Sequence, residues 1–254
     1  METNKIYNEN CLETMARMPD GLIDLVVTSP PYDNLRKYNG YSFDFEAIAK
    51  ELFRVVKVGG VVVWVVADAT VNGSETGTSF RQALHFMSLG FNLHDTMIYE
   101  KSGMAYPDSA RYSQIFEYMF VLSKGSVKSV NLIKDRPNKF VGTMGGNKRG
   151  GLCTRGEFGA RFNIWRYANG RDNSSEDRIA FEHPAIFPEQ LAKDHILSWS
   201  NEGDLVYDCF GGSGTVAKMA HLEKRNWILS EISSEYAELA AKRIDPYLRQ
   251  MTLF

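Results

Sequence analysis

Two short runs in this 254-residue chain bring together residue types that do chemistry. The first, Ser29-Pro30-Pro31-Tyr32, follows the apolar run Ile23 to Thr28. Two prolines directly after a buried strand stop the strand and fix the backbone. They leave the Pro30 carbonyl free to accept a hydrogen bond and set an aromatic face beside it. That arrangement suits a flat substrate carrying an amine. The lone pair of an exocyclic nucleobase amine is delocalised into the ring, which makes the nitrogen a poor nucleophile. Hydrogen bonds from its N–H groups to Ser29 and the Pro30 carbonyl would draw it toward tetrahedral geometry, with Tyr32 stacked on the base. Taken alone, a proline pair also reads as a tight turn at a strand end.

The second run is Asp208-Cys209-Phe210-Gly211-Gly212-Ser213-Gly214-Thr215, placed between a predicted strand, Asp204 to Cys209, and a predicted helix, Ser213 to Leu222. Glycines there let backbone approach a ligand, and a helix N-terminus can face it. Glu231 ends the next predicted strand, 20 residues after Gly211. A carboxylate at that strand end can accept hydrogen bonds from both ribose hydroxyls of a nucleoside cofactor. Without support from elsewhere the run is also a glycine-rich turn beside a solvated glutamate.

The elements that must position these runs are legible as an α/β alternation. A strand and a small helix are predicted over Lys5 to Met18, and a strand over Ile23 to Thr28. Apolar residues at helical spacing over Phe43 to Val56 lead through Gly59-Gly60 into the buried strand VVVWVVA. A helix near Phe80 to Leu89, an extended run Phe91 to Tyr99 and a strand Ile115 to Leu122 follow. From Pro188 the pattern resumes with a helix to Trp199, the two strands and helix around the glycine run, and a final helix from Ser233 to about Arg243. Strands alternating with helices imply a parallel sheet. Between Gly125 and Phe181 periodicity fades and no apolar run is long enough for a core element, which marks residues 125–181 as an insertion.

Composition bounds the partners. With 44% apolar and 24% charged residues the chain is globular. The longest aliphatic run, Val61 to Ala67, is far short of the roughly twenty residues of a membrane span, and the polar N-terminus lacks a hydrophobic signal region. A soluble, cytoplasmic protein is expected, with no membrane partner. Cys11, Cys153 and Cys209 are too few and too scattered for a disulfide framework or a zinc site, so reduced thiols and no metal are expected. The net charge of −2 hides an asymmetry: Lys124 to Arg171 holds eleven bases and two acids, or +9, against −11 for the rest. A basic segment on an acidic body points to nucleic acid.

Together, TSPPY at Thr28 to Tyr32 and DCFGGSGT at Asp208 to Thr215 resemble the DNA amino-methyltransferases. That family moves a methyl group from S-adenosylmethionine to an exocyclic base amine. The order, catalytic motif first and cofactor motif last with a basic insertion between, resembles the beta-type arrangement. Leu52 to Asp68 and His183 to Pro188 are similar to further family segments, so the resemblance spans nearly the whole chain. It implies a Rossmann-like methyltransferase sheet, one domain over residues 1–254, with the insertion as the target-recognition region.

The resemblance also implies roles. Ser29, Pro30, Pro31 and Tyr32 would be catalytic. Phe210, Gly212, Ser213 and Gly214 would line the methionine end of the cofactor, Asp208 would support that loop and Glu231 would hold the ribose. Phe187 and Pro188 would pack over the cofactor, and Cys11, Gly211 and Thr215 complete the expected set. Where the family usually has Gly-Asp-Cys, this chain has Glu9-Asn10-Cys11, and Asn10 can still accept from the adenine amine through its side-chain oxygen. Cys209 stands where proline is usual, and Val216 where a second threonine is common.

Direct in-line transfer is expected, by orientation and by hydrogen bonds that strengthen as the amine becomes tetrahedral. Carbon-5 cytosine methylation in its own family uses a Pro-Cys pair, and no cysteine here follows proline. The target amine lies inside a duplex, so the base must be flipped out. Ser29 favours N4 of cytosine, since SPPY is mostly found in those enzymes, and leaves N6 of adenine as the alternative. Lys148, Arg149, Arg155, Arg161, Arg166 and Arg171 are the expected DNA contacts, with Phe158, Phe162, Trp165 and Tyr167 interleaved as a small local core. The expected partner is double-stranded DNA; a homodimer and a cognate restriction endonuclease remain open.

Three other classes use part of the pattern. A nicotinamide-dependent oxidoreductase would use the glycine turn and Glu231, but would give Ser29 to Tyr32 nothing to do. An RNA or protein amine methyltransferase would keep the cofactor run and change the substrate side. A DNA-binding module without catalysis would have no reason to retain Ser29, Tyr32, Gly212, Gly214 and Glu231 together.

Overall fold

The computed structural model describes residues 1–31, 43–102, 110–146, 151–168, 170 and 174–250. Eight strands form its central sheet: β1 (Lys5–Tyr7), β2 (Ile23–Thr28), β3 (Val56–Val66), β4 (Asn92–Lys101), β5 (Phe116–Ser123), β6 (Ile164–Tyr167), β7 (Leu205–Asp208) and β8 (Asn226–Ser230). Their spatial order is β1-β8-β7-β2-β3-β5-β4-β6. Six helices accompany them: α1 (Cys11–Ala16), α2 (Phe45–Val55), α3 (Thr78–Ser88), α4 (Glu189–Trp199), α5 (Thr215–Leu222) and α6 (Ser234–Gln250).

The layering follows from the period-two alternation of buried strands. In β3, Val61, Val63 and Val65 face one cluster and Val62, Trp64 and Val66 the other. Helices α4, α5 and α6 cover the first face through Leu191, Ile196, Val216, Ala217 and Ile244. Helices α1, α2 and α3 cover the second through Met15, Ile48, Leu52 and Phe86. In α2 the buried residues Ile48, Ala49, Leu52 and Val55 fall on one helical stripe, and the Asp44 side chain caps its start by accepting from the Ala47 N–H at 3.1 Å.

Three expectations change. The sheet is mostly but not wholly parallel, since β5 runs antiparallel to both β3 and β4. An apolar run carries no direction, and an antiparallel neighbour needs no crossover helix. Residues 125–181 also are not free of core elements. β6 pairs in parallel with β4 and completes the sheet edge, with Trp165 and Tyr167 buried in the main core while Ile164 and Arg166 face outward. Four residues of alternating burial are too short to register as an apolar run. The final helix is longer than expected and continues through Pro246.

Candidate active site

Adjacent parallel strands bring their carboxyl ends to one edge of the sheet, and β7 lies between β2 and β8. Ser29, Asp208 and Glu231 therefore emerge side by side, although 179 residues separate the first two along the chain. The Thr28 hydroxyl donates to Asp208 Oδ1 at 2.7 Å, and the Phe210 N–H donates to the same oxygen at 3.1 Å. Asp208 is 5% exposed, and burial pushes its carboxyl up to about 7 against the pull of those two donors. Beyond Thr28, Ser29 is half-buried, Pro30 buried and Pro31 half-buried. Tyr32 lies outside the described residues.

The glycine run wraps closely around this edge. A Cβ on Gly211 would sit 2.1 Å from Leu229 Cδ2, so only glycine fits. Gly212 and Gly214 hold φ of +50° and +77°, and Gly214 caps the start of α5. Glu231 grips the turn: Oε2 accepts from the Gly212 N–H at 2.7 Å and Oε1 from the Ser233 N–H at 2.9 Å. Burial raises the Glu231 carboxyl above its ordinary value, and the backbone donors oppose that rise. Phe210 leaves the turn toward the α1–α3 side, in edge contact with Phe43 at 5.6 Å and Trp64 at 6.1 Å. The His183 ring lies under Gly212, where an added Cβ would come within 3.1 Å of Nε2. Its segment continues through half-buried Phe187 to Pro188, the cap residue of α4.

Asn10 and Cys11 join the same edge from β1. The Asn10 side-chain oxygen caps α1 by accepting from the Leu12 N–H at 2.9 Å. Cys11 is buried and its thiol is pushed up to about 12; burial likewise raises the Cys209 thiol well above its ordinary value. Cys153 is exposed, outside this edge. Neither site cysteine is a ready nucleophile.

Sequence reasoning missed a buried ionic cluster behind the glycine run. Arg243, with a side chain 0% exposed, donates from Nη1 to the Ser213 carbonyl at 2.9 Å, Ser213 Oγ at 3.0 Å and Thr215 Oγ1 at 2.9 Å. Its Nε reaches Asp177 at 2.8 Å and its Nη2 reaches Glu189 at 2.5 Å. Lys218 of α5 binds the same two carboxylates at 2.7 and 2.8 Å. Burial alone would raise Asp177 and Glu189, but these donors hold both below the ordinary carboxylate range. The available signal is a base on an apolar helix face: Arg243 shares its stripe with Ala240 and Ile244.

The basic segment divides into two kinds of residue. Arg161 lies between Asp135 and Asp194, with Tyr167 OH also in reach at 3.2 Å, and Arg166 pairs with Glu100. These two arginines already hold carboxylates. Residues 136–146 and 152–159 form an antiparallel ribbon, with pairs 136 to 159, 144 to 154 and 146 to 152. The ribbon exposes Lys139, Arg155, Phe140 and Phe158, and Arg155 lies over the Phe140 ring at 5.9 Å. Phe162, 67% exposed, carries Arg136 over its face at 4.6 Å. Phe158 and Phe162 thus stand outside the core that takes Trp165 and Tyr167. Lys148, Arg149 and Arg171 lie outside the described residues. Among the described residues no cluster of side chains has metal-ligand geometry, and no helix is long and apolar enough to cross a membrane.

Residues 23–242 match a family model described as DNA methylase. The chain is 60% identical over 243 residues to the orphan methyltransferase M.BamHII of Bacillus amyloliquefaciens, a match covering 90% of this chain and 91% of that protein. It is 28% identical over 256 residues to the Type II methyltransferase M.BglII of Bacillus subtilis, covering 93% and 68%. Among solved structures, the cytosine-N4-specific PvuII DNA methyltransferase superposes with a TM-score of 0.73 at 22% identity, over 96% of this chain and 86% of that one. The complex of M1.HpyAVI with SAM superposes at 0.64 and 22% identity, over 94% and 98%.

Proposed function

The chain belongs to the DNA methylase family of N6 and N4 methyltransferases, and on that premise we propose that it methylates the exocyclic N4 amine of a cytosine flipped out of duplex DNA. The observation that carries the proposal is the Thr28 to Asp208 hydrogen bond of 2.7 Å, which holds the Ser29 motif and the glycine-rich turn together at one sheet edge.

The cofactor is S-adenosylmethionine, and the residues present fit it. Gly211 and Gly212 hold the turn backbone tight against Leu229 and His183, and the Glu231 carboxylate, fixed by the Gly212 N–H, stands at the neighbouring strand end. In our reading Glu231 holds the ribose, with Asp208, Phe210, Gly212, Ser213 and Gly214 around the methionine end and Phe187 and Pro188 over it. Asn10 keeps a second lone pair on its capping oxygen for the adenine amine. Bound there, S-adenosylmethionine supplies an electrophilic methyl group.

The chain supplies orientation. The Ser29 hydroxyl and the Pro30 carbonyl accept from the two N–H bonds of the target amine. These hydrogen bonds localise its lone pair and strengthen as the nitrogen becomes tetrahedral. Tyr32 stacks on the flipped base and recovers part of the unstacking cost. Because both site thiols are buried and raised, no covalent cysteine adduct takes part.

The ribbon formed by residues 136–146 and 152–159 is the DNA-contacting arm of this reading. A two-stranded ribbon is narrow enough for the major groove. Lys139 and Arg155 on it are assigned to phosphates or guanine edges, and Lys148, Arg149 and Arg171 belong to the same basic segment of the sequence. Arg161 and Arg166 act by holding this segment to the body through Asp194 and Glu100. Ser29 supports cytosine as the target base.

The test is transfer of a labelled methyl group from S-adenosylmethionine to unmethylated duplex DNA by the purified chain, followed by digestion to nucleosides. Label in N4-methylcytosine is expected. Label confined to N6-methyladenine would overturn the choice of base, and label in neither would overturn the reaction.

A further inference from the structure

We propose that Arg243 is the positioning residue of the glycine-rich cofactor loop, setting the orientation of the Ser213 to Gly214 peptide from behind. The proposal rests on the reading of residues 208–215 as the cofactor loop.

That peptide plane is held at both ends. Its carbonyl, on Ser213, accepts from Arg243 Nη1 at 2.9 Å, and its N–H, on Gly214, donates to the Gly211 carbonyl at 2.8 Å. The Ser213 and Thr215 hydroxyls accept from the same Nη1 at 3.0 and 2.9 Å, so one guanidinium nitrogen reaches three atoms of the turn. The rest of the fork is anchored away from it, on Asp177, Ser175 and Glu189. Asp177 and Ser175 precede α4 and Glu189 is its first residue, so the anchor comes from a stretch of chain separate from the loop it holds. Independent geometry points the same way. A Cβ on Gly214 would lie 2.9 Å from Ala240 Cβ and 3.0 Å from Ile244 Cδ1, so the helix carrying Arg243 packs directly against the loop.

The energetics argue for placement over stability. Taking two bases and two acids out of water carries a desolvation penalty that their attraction roughly offsets, and apolar residues of the same volume serve stability about as well. What an apolar side chain cannot do is fix three loop acceptors and two carboxylates in one plane. Lysine cannot do so either, because its ammonium is a point charge without the fork. A loop whose amides are pre-oriented loses less entropy on binding a ligand, so the expected effect falls on cofactor affinity.

Arg243→Lys tests this in the full chain, because it keeps the charge that Asp177 and Glu189 require. Steady-state assays are run where circular dichroism shows the variant folded. The expected result is a KM for S-adenosylmethionine raised about tenfold, the size of one lost charge-assisted hydrogen bond, with kcat changed less than about twofold. A merely structural role would lower the active fraction, and so kcat, and leave KM alone. Ser175→Ala removes one anchor of the guanidinium, away from the loop and without disturbing the charges, and a KM raised about threefold is expected; it decides the matter if the lysine variant does not fold. A wild-type KM in the folded variant overturns the proposal. Calorimetric titration of Glu231→Ala with S-adenosylmethionine separates the two levels. If Glu231→Ala loses binding while the Arg243 and Ser175 variants keep a wild-type KM, the positioning role fails and the cofactor site stands. Unchanged binding in Glu231→Ala overturns the site reading and the proposal with it.

Discussion

Thr28 Oγ1 and Asp208 Oδ1 lie 2.7 Å apart, and this buried bond joins the residue before the Ser29 motif to the first residue of the glycine-rich turn. The strands that carry them are adjacent and parallel. The distance between the two motifs is therefore set by one strand spacing, roughly 4.8 Å, and by one side-chain contact. Substrate amine and methyl donor have to meet within about a van der Waals distance, and this bond directly connects the elements assigned to each.

Thr28→Val keeps the shape of the side chain and removes the donor to Asp208. Hydrogen bonds to a carboxylate contribute about 1.5 to 3 kcal/mol. Loss of stability of that order in urea is expected, together with weaker cofactor binding by titration. Unchanged values for both would mean the contact does not organise the site.

Asp208 also sets a pH dependence. Burial raises its folded-state value to about 7 from 3.8, so between those values the folded chain binds more protons than the unfolded one. Its contribution to stability is thus fully present below 3.8 and lost as pH rises through about 7. Asp208→Asn removes that term. Urea unfolding of the variant at pH 5 and pH 8, compared with the parent, should show stability declining less with rising pH; an identical decline would contradict the assignment.

His195 works in the opposite sense. It is 0% exposed, 4.7 Å from the Trp165 ring and 3.2 Å from Met119 Sδ, and burial lowers it to about 3. The unfolded chain takes up a proton near 6.5 that the folded chain refuses, so stability is fully present above that pH and falls as pH drops toward 3. His195→Phe should remove up to about 2.5 kcal/mol of the loss between pH 6.5 and 4.5. The check is urea unfolding at both pH values, and equal losses in parent and variant would refute it.

Gly211→Ala places a methyl group 2.1 Å from Leu229 Cδ2, so the loop or the leucine must shift. Overpacking of this kind costs about 1 to 3 kcal/mol. Leu229→Ala makes room, so the double variant should be less destabilised than the sum of the two single changes. Strict additivity in thermal or urea unfolding would contradict the close approach.

The two kinds of arginine in the basic segment separate by salt dependence. Arg155→Ala, on the exposed ribbon, should weaken DNA binding and reduce the slope of log affinity against log salt by about 0.9 if it meets one phosphate. Arg161→Ala should lower stability instead, because it leaves Asp194, with a side chain 4% exposed, without its cation. Fluorescence anisotropy across a salt series checks the first and urea unfolding the second. A change of slope in Arg161→Ala alone would reverse the assignment.

Much of this arrangement is legible along the chain. β2 coincides with its expected bounds because Ile23 to Thr28 is apolar toward both faces and ends at a proline pair. The glycine turn is legible because only glycine satisfies φ of +50° and +77° at Gly212 and Gly214 and the approach of Leu229 to Gly211. The direction of β5 is not, since a run such as IFEYMFVL looks the same in either sense. β6 escapes because Trp165 and Tyr167 are separated by an outward Arg166 in a basic context. The Arg243 cluster escapes because its carboxylates lie 66 and 54 residues away, and a base near a helix end ordinarily reads as a solvated face. Pairing across such separations is a property of the packed layers and of no local pattern.

Mass spectrometry of nucleosides from a methylation-free host expressing this chain, with Ser29→Ala as control, tests the central claim most directly. N4-methylcytosine in the host DNA, lost in the control, is the predicted result. N4-methylcytosine that persists undiminished in Ser29→Ala, or its absence with the chain expressed and folded, would contradict the account.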